Sequence, residues 1–187
     1  AHSCAIDTMG SVWCWGDNEN GQTDVPESLT EALTVTAGSY HTCAVDGEGL
    51  VVCWGDDSWD QTDVPTGLGS VLALSAGSGH TCAIDASQTV HCWGDNDYDQ
   101  SSVPNTLGPA VAVSAGGGHT CIIEEDGDIQ CWGLNTYGQT TVPSTMGKAV
   151  ALTAGGGHTC AIDSDAEPPN GPRAAMQAKA AAEAGIT

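Results

Sequence analysis

The sequence predicts an all-β fold: a β-propeller array of 39-residue, four-stranded repeats, about four blades long and incomplete at both ends. Three observations carry that prediction. Cys4, Cys43, Cys82, Cys121 and Cys160 stand 39 residues apart, as do His2, His41, His80, His119 and His158. A second set keeps the same step: Cys14, Cys53, Cys92 and Cys131, each followed by Trp-Gly; Gln22, Gln61, Gln100 and Gln139; and Val-Pro at 25–26, 64–65, 103–104 and 142–143. Between these landmarks run short segments rich in Val, Ile and Thr, punctuated by Gly, Asp, Asn and Pro, which read as strands and turns. A period near 40 with four strands per unit is the signature of a propeller blade.

Each element follows in chain order. The first is His2–Asp7, which reads as the second strand of a blade. A complete unit is clearest in the middle. Val71–Ala76 alternates and ends at Gly77, His80–Asp85 follows, then a turn, then Val90–Gly94, and a last short piece ends at Val103-Pro104. The array closes with two strands of a further blade, Ala149–Gly155 and His158–Asp163, and residues 157–163 repeat residues 1–7. Three outcomes are open. The last strands complete the first blade of the same chain, or of the next molecule, or the chain is a piece of a longer propeller. The opening Ala1-His2-Ser3-Cys4, without a basic-then-apolar leader, reads as that of a processed or excised piece. After residue 163 the repeat stops. Residues 164–187 read as a Pro/Gly linker, Pro168 to Pro172, and an Ala-rich helical tail from Arg173 to Glu183.

Charge narrows the function. The chain of 187 residues carries 24 acidic groups against 3 Lys and Arg, a net charge of -21. The three cations, Lys148, Arg173 and Lys179, all follow residue 147, so no surface salt bridges to Lys or Arg are expected within residues 1–147. Such a polyanion does not bind nucleic acid through its own charge. No apolar run has the length of a membrane span, so no membrane insertion is expected.

The two cysteines of a unit are ten apart across an expected hairpin: Cys4/Cys14, Cys43/Cys53, Cys82/Cys92 and Cys121/Cys131. Facing positions on paired strands suit a disulfide, which predicts one staple per blade and an extracellular or cell-surface location. The alternative is reduced cysteines packed as small apolar groups. The ninth, Cys160, finds Asn170 at its partner position and is read as a free thiol buried in a strand, or as an interchain link. The five repeated histidines argue for structure, since a catalytic site needs different residues converging. They are expected to hydrogen-bond within or between blades. His91 reads as a strand-surface residue. Trp15, Trp54, Trp93 and Trp132 read as core between blades. No nucleophile–base pair, phosphate loop or acid pair stands out against the repeat, so the chain is read as not an enzyme.

Function in a repeat protein sits where units differ. Two variable pairs stand at strand ends: Glu19-Asn20, Ser58-Trp59, Asp97-Tyr98 and Thr136-Tyr137, and then Ser39-Tyr40, Ser78-Gly79, Gly117-Gly118 and Gly156-Gly157. Tyr40, Trp59, Tyr98 and Tyr137 are the candidate protein-binding face, with packing between blades as the plainer reading. The acidic loops gather oxygen ligands, with Asp17, Glu19, Asp95 and Asp97 as weak calcium candidates, although Asx side chains also simply make turns. No cofactor is otherwise expected.

The pattern Ala-Gly-x-x-His-Thr-Cys-Ala-Ile-Asp, then Val-x-Cys-Trp-Gly-Asp-Asn-x-x-Gly-Gln-Thr-x-Val-Pro, resembles the regulator-of-chromosome-condensation repeat family. Within it, the unit looks most like the bacterial branch that includes the propeller-type β-lactamase inhibitor protein. The resemblance covers about residues 1–163 and implies the fold more than the function, because this fold hosts exchange factors, inhibitors and scaffolds. It implies seven blades where this chain holds about four. It also implies aromatic anchors on one loop face, at positions that Tyr40, Trp59, Tyr98 and Tyr137 match.

Together these features predict a secreted structural and interaction protein of disulfide-stapled propeller repeats. It is expected to self-associate, as a ring or filament, by strand completion between incomplete terminal blades. The alternative is a monomeric protein-binding or inhibitor module that uses the aromatic loop face. Its partner is therefore itself or another protein, and not nucleic acid.

Overall fold

The hairpin turns show why these residues form strands at these places. In the computed structural model, which describes residues 1–164, Asp7 Oδ1 accepts the amides of Met9 at 2.8 Å and Ser11 at 3.0 Å. Asp46 and Asp85 hold the next two hairpins in the same way. Each turn folds back on a residue of positive φ: Gly10, Gly49, Gln88 and Gly127.

Thirteen strands result, and no helix occurs among the described residues. They form five antiparallel sheets in chain order. The first is β1 (His2–Ile6) and β2 (Val12–Gly16). Three three-stranded sheets follow: β3 (Ala32–Ala37), β4 (His41–Asp46) and β5 (Val51–Gly55); β6 (Val71–Ala76), β7 (His80–Asp85) and β8 (Val90–Gly94); β9 (Ala110–Ala115), β10 (His119–Glu124) and β11 (Ile129–Gly133). The last is β12 (Ala149–Ala154) with β13 (Thr159–Asp163). The expected linker and helical tail fall on residues 165–187, outside the described residues.

Two details differ from the sequence reading. The fourth piece of each unit is not a strand. It turns tightly after the repeated Gln, and that Gln carbonyl is used by the next unit instead of by a sheet partner. The first strand of each later unit also carries a bulge. Ala32 faces Asp46 and Thr34 faces Val45, so Leu33 is the extra residue and stands exposed. Leu72, Val111 and Val150 occupy the same place and are exposed too.

Successive sheets pack closely because their inner ends are Gly and Ala. The amides of Ser39, Ser78 and Gly117 donate to the carbonyls of Gly77, Gly116 and Gly155, one unit ahead. A Cβ on Gly77 would stand 2.5 Å from the Gly116 carbonyl and 2.6 Å from the His80 ring. Between sheets lies a core that repeats. Ala32, Ala44 and Trp54 pack with Val25 and Leu29 of the preceding unit. Further along, Ile84, Val90, Ala110, Ile122 and Trp132 pack with Val103 and Leu107.

Trp54, Trp93 and Trp132 are buried as expected, but Trp15 is 57% exposed. The reason is directional. Each buried indole packs on, and donates to, the Gln carbonyl of the unit before it, and no such unit stands before β2 in this sequence. Among the described residues β1 and β2 pair only with each other, as do β12 and β13, so β12 and β13 do not complete the first blade.

Candidate protein-interaction face

The four cysteine pairs are joined across directly facing positions of neighbouring strands, with Cα–Cα distances of 4.1, 4.0, 4.1 and 4.1 Å. Each lies in the middle of its hairpin, as in Cys43↔Cys53. Cys160 is free among the described residues and exposed on β13, not buried. Among the described residues no third strand pairs with β13.

The repeated histidines form a ladder from sheet to sheet. Nε2 of His2, His41, His80 and His119 meets Oγ1 of Thr42, Thr81, Thr120 and Thr159 at 2.7, 2.9, 2.9 and 2.9 Å. Each threonine hydroxyl in turn donates to a Gln carbonyl, as Thr81 does to Gln61 at 2.9 Å. Its proton is thereby committed, so the imidazole must donate from Nε2–H. The other ring nitrogen is buried without a partner. Burial lowers the pKa of His41 and His80 to about 4, against weaker upward pulls from Asp56 and Asp57 on the first and Asp95 on the second. Burial keeps both imidazoles neutral near pH 7. His91 is different. Its Nε2 lies 2.9 Å from Asp85 Oδ2, where the equivalent Trp13 indole donates to Asp7 Oδ2 at 3.0 Å.

The loop after each third strand is built on the buried Gln. Its Oε1 accepts the amide of Asn20, Trp59, Tyr98 or Tyr137 at 2.9, 2.8, 2.8 and 2.9 Å. An Asx side chain closes the loop, as Asn96 Oδ1 does on the Ser101 amide at 3.1 Å. Asp60 and Asp99 take positive φ where the other units have Gly21 and Gly138. The loop before each second strand lies at the same end of the sheet, since the amides of Asp56 and Asp95 donate to the carbonyls of Tyr40 and Gly79.

These two loops meet, and the aromatics occupy the junction. A Cβ on Gly79 would stand 3.7 Å from Trp59, on Gly118 3.2 Å from Tyr98, and on Gly157 3.2 Å from Tyr137. Each of these rings therefore lies over a glycine of the next unit. The first junction inverts the arrangement, with Asn20 on one side and Tyr40 on the other. One aromatic per junction results, and none is buried: Tyr40, Trp59 and Tyr98 are half-exposed and Tyr137 is 80% exposed. Sequence reading found the two variable pairs. It missed that they compensate each other across the junction, a signal present in the alternation of aromatic and Gly at positions 20 apart.

The face is acidic. Asp17 and Glu19, and Asp95 and Asp97, are not drawn into a metal-like group: Asp17 holds the chain amine at 3.2 Å and the Glu19 amide, and Asp95 holds the Asp97 amide. The carboxylates that do converge are Asp57, Asp60 and Asp63, exposed and within 4.8 Å of one another. Lys148, just beyond the lysine- and arginine-free span of residues 1–147, reaches back to Asp126 at 3.1 Å and Asp128 at 2.8 Å.

Comparison with known proteins agrees with this architecture. The family model for the regulator of chromosome condensation (RCC1) repeat matches residues 1–22, 33–58, 71–100 and 110–139. No curated protein matches the sequence. Among solved structures, the ectodomain of the receptor kinase CR4 from the moss Physcomitrella patens is 24% identical with a TM-score of 0.74, covering 89% of this chain and 48% of that one. The CRINKLY WD40 ectodomain of the Arabidopsis thaliana receptor kinase ACR4 is 26% identical with a TM-score of 0.66, covering 87% and 56%. Yeast RCC1 (Prp20), solved with Kap60, is 20% identical with a TM-score of 0.73, covering 87% and 52%. The chain thus spans about half the length of the structures it matches.

Proposed function

The chain belongs to the RCC1 repeat family, and on that premise we propose that it is an extracellular protein-interaction module whose loop face receives a protein partner. The observation that carries this reading is the row of Tyr40, Trp59, Tyr98 and Tyr137, one at each junction on one acidic face. Rigid aromatics at fixed spacing supply contact area at little entropic cost, and surrounding carboxylates add selectivity for a basic surface. The extracellular assignment is supported by four stapled hairpins, which persist in an oxidising compartment, and by the 26% identity to a receptor-kinase ectodomain.

The test is affinity capture from the medium of the source cells, comparing the natural chain with the fourfold variant Tyr40→Ser, Trp59→Ser, Tyr98→Ser, Tyr137→Ser. The expected result is a specific bound protein whose recovery falls at least about tenfold in the variant, with an unchanged melting temperature. Equal recovery by both proteins would remove the face from consideration.

A second reading is self-association through the terminal sheets. Two observations favour it: the first and last sheets are two-stranded, and both Trp15 and Cys160 are exposed beside them. Unpaired sheet edges favour association. Light scattering of the purified chain checks it, and a strictly monomeric particle at all concentrations would end it.

A further inference from the structure

Three interior junctions of the loop face share one frame. In each, the residue before the repeated His offers its carbonyl to the amide that follows Trp-Gly: Tyr40 to Asp56 at 3.0 Å, Gly79 to Asp95 at 2.8 Å and Gly118 to Leu134 at 2.8 Å. The aromatic loop of the preceding unit adds Asn20, Trp59 or Tyr98 by repeat position. The three junctions thus have the same backbone and different chemistry.

At the first, the carboxylate is already used. Asp56 Oδ1 accepts the Ser58 hydroxyl at 2.6 Å, and Oδ2 accepts the Gln61 side-chain amide at 2.7 Å. At the second, the carboxylate stands with the ring. A Cβ on Gly79 would meet Asp95 Oδ2 and Trp59 Cδ1, each at 3.7 Å, while Asp95 Oδ1 holds the Asp97 amide. The Gln100 side-chain nitrogen, 39 residues after Gln61, makes no hydrogen bond among the described residues, so it does not claim Asp95 as Gln61 claims Asp56. At the third, the carboxylate is replaced. A Cβ on Gly118 would meet Tyr98 at 3.2 Å and the Leu134 side chain at 3.5 Å. Both rings keep about half their surface for a partner. Charge falls along the face in the same sense. Residues 56–63 around Trp59 hold Asp56, Asp57, Asp60 and Asp63, residues 95–102 around Tyr98 hold Asp95, Asp97 and Asp99, and residues 134–141 around Tyr137 hold no acid.

We propose that the face takes an extended polypeptide segment of its partner, with an arginine at the Trp59–Asp95 junction and an apolar side chain at the Tyr98–Leu134 junction. A guanidinium is planar. It stacks on an indole and still directs N–H groups to a carboxylate beside that indole. Leu134 offers no acceptor for such a charge, and a side chain laid between it and Tyr98 gains by leaving water. The junctions follow one another along the array, so one extended chain meets them in turn. The assignment rests on the interaction-face reading and names what each junction selects.

The test is selection of a random linear dodecapeptide library on the intact chain, followed by calorimetry with the leading synthetic peptide. The enriched peptides are expected to share an Arg and an apolar residue at one fixed spacing. Asp95→Asn keeps an oxygen for the Asp97 amide and removes only the charge. It is expected to weaken binding at least about tenfold, and a peptide with citrulline in place of its Arg is expected to bind the natural chain as weakly. The two changes together are expected to cost no more than either alone, since both remove one contact. Leu134→Asp is expected to weaken the same peptide through its apolar residue. Unchanged melting temperatures show that each variant folds. Enrichment without a basic residue, or a loss below about twofold in Asp95→Asn, overturns the assignment. If those peptides still lose binding with Trp59→Ser and Tyr98→Ser, the interaction face itself stands. A library that yields no peptide dependent on these aromatics overturns the linear segment, and the face reading then rests on affinity capture alone.

Discussion

Single residues carry the repeat, and histidine shows how. His41 and His80 are neutral in the folded protein because burial lowers their pKa to about 4, whereas in the unfolded chain each titrates near its ordinary 6.5. The unfolded state therefore binds more protons between those values. Their stabilising contribution is complete above pH 6.5 and is lost as pH falls toward 4, roughly 3 kcal/mol for each histidine. Urea midpoints measured from pH 7 to pH 4.5 are expected to fall steeply. His80→Gln, which keeps an N–H donor for Thr120, is expected to be less stable at pH 7 but to show a shallower fall. An equal slope in the variant would show that His80 is not the titrating group.

At the scale of the element, four hairpins carry one staple each, and three junctions hold one buried indole each. Replacing Cys82 and Cys92 together by Ala opens a loop closed at a separation of 10 residues and is expected to cost about 2–3 kcal/mol. Chemical denaturation gives that number directly. Tryptophan offers a sharper contrast, because the same residue at equivalent positions has two environments. Trp93→Ala removes a buried indole and its bond to Gln61 and is expected to cost about 3–5 kcal/mol. Trp15→Ala in the monomer is expected to cost under about 1 kcal/mol, since that indole is already in water. Similar losses for the two would contradict the exposed placement of Trp15.

The described residues form a series of sheets whose neighbours touch through small residues, a repeated apolar core and repeated hydrogen bonds. Stability in such arrays is close to a sum of unit and junction contributions. Gly77→Ala pushes a methyl into both the Gly116 carbonyl and the His80 ring, so it damages one junction from a position outside the strands. Thermal unfolding of that variant is expected to broaden or divide into two steps, whereas an unchanged single transition would show that the junction yields. Charge acts at the same scale. With 24 acids and 3 cations, the array repels itself, and the melting temperature is expected to rise as sodium chloride is added.

By itself the sequence determined the period, the strands, the staples and the positions that vary. Those follow from local chemistry: Asp and Gly fold each hairpin on itself, and ten-residue spacing across that hairpin sets Cys43 opposite Cys53. Only the tertiary structure decided what lies between units. The residues that meet there are 20, 32 or 40 apart, as Thr81 and Gln61, Trp93 and Gln61, and His41 and Thr81 are. No local propensity links such residues. For that reason Trp15 and Cys160, identical in sequence context to buried partners, are exposed in this array: their burial depends on a neighbouring strand or unit, not on their own. The same holds for the face. Four aromatics were legible in the chain, but the glycine beneath three of them, and hence their shared exposure on one side, came from the packing of one blade on the next.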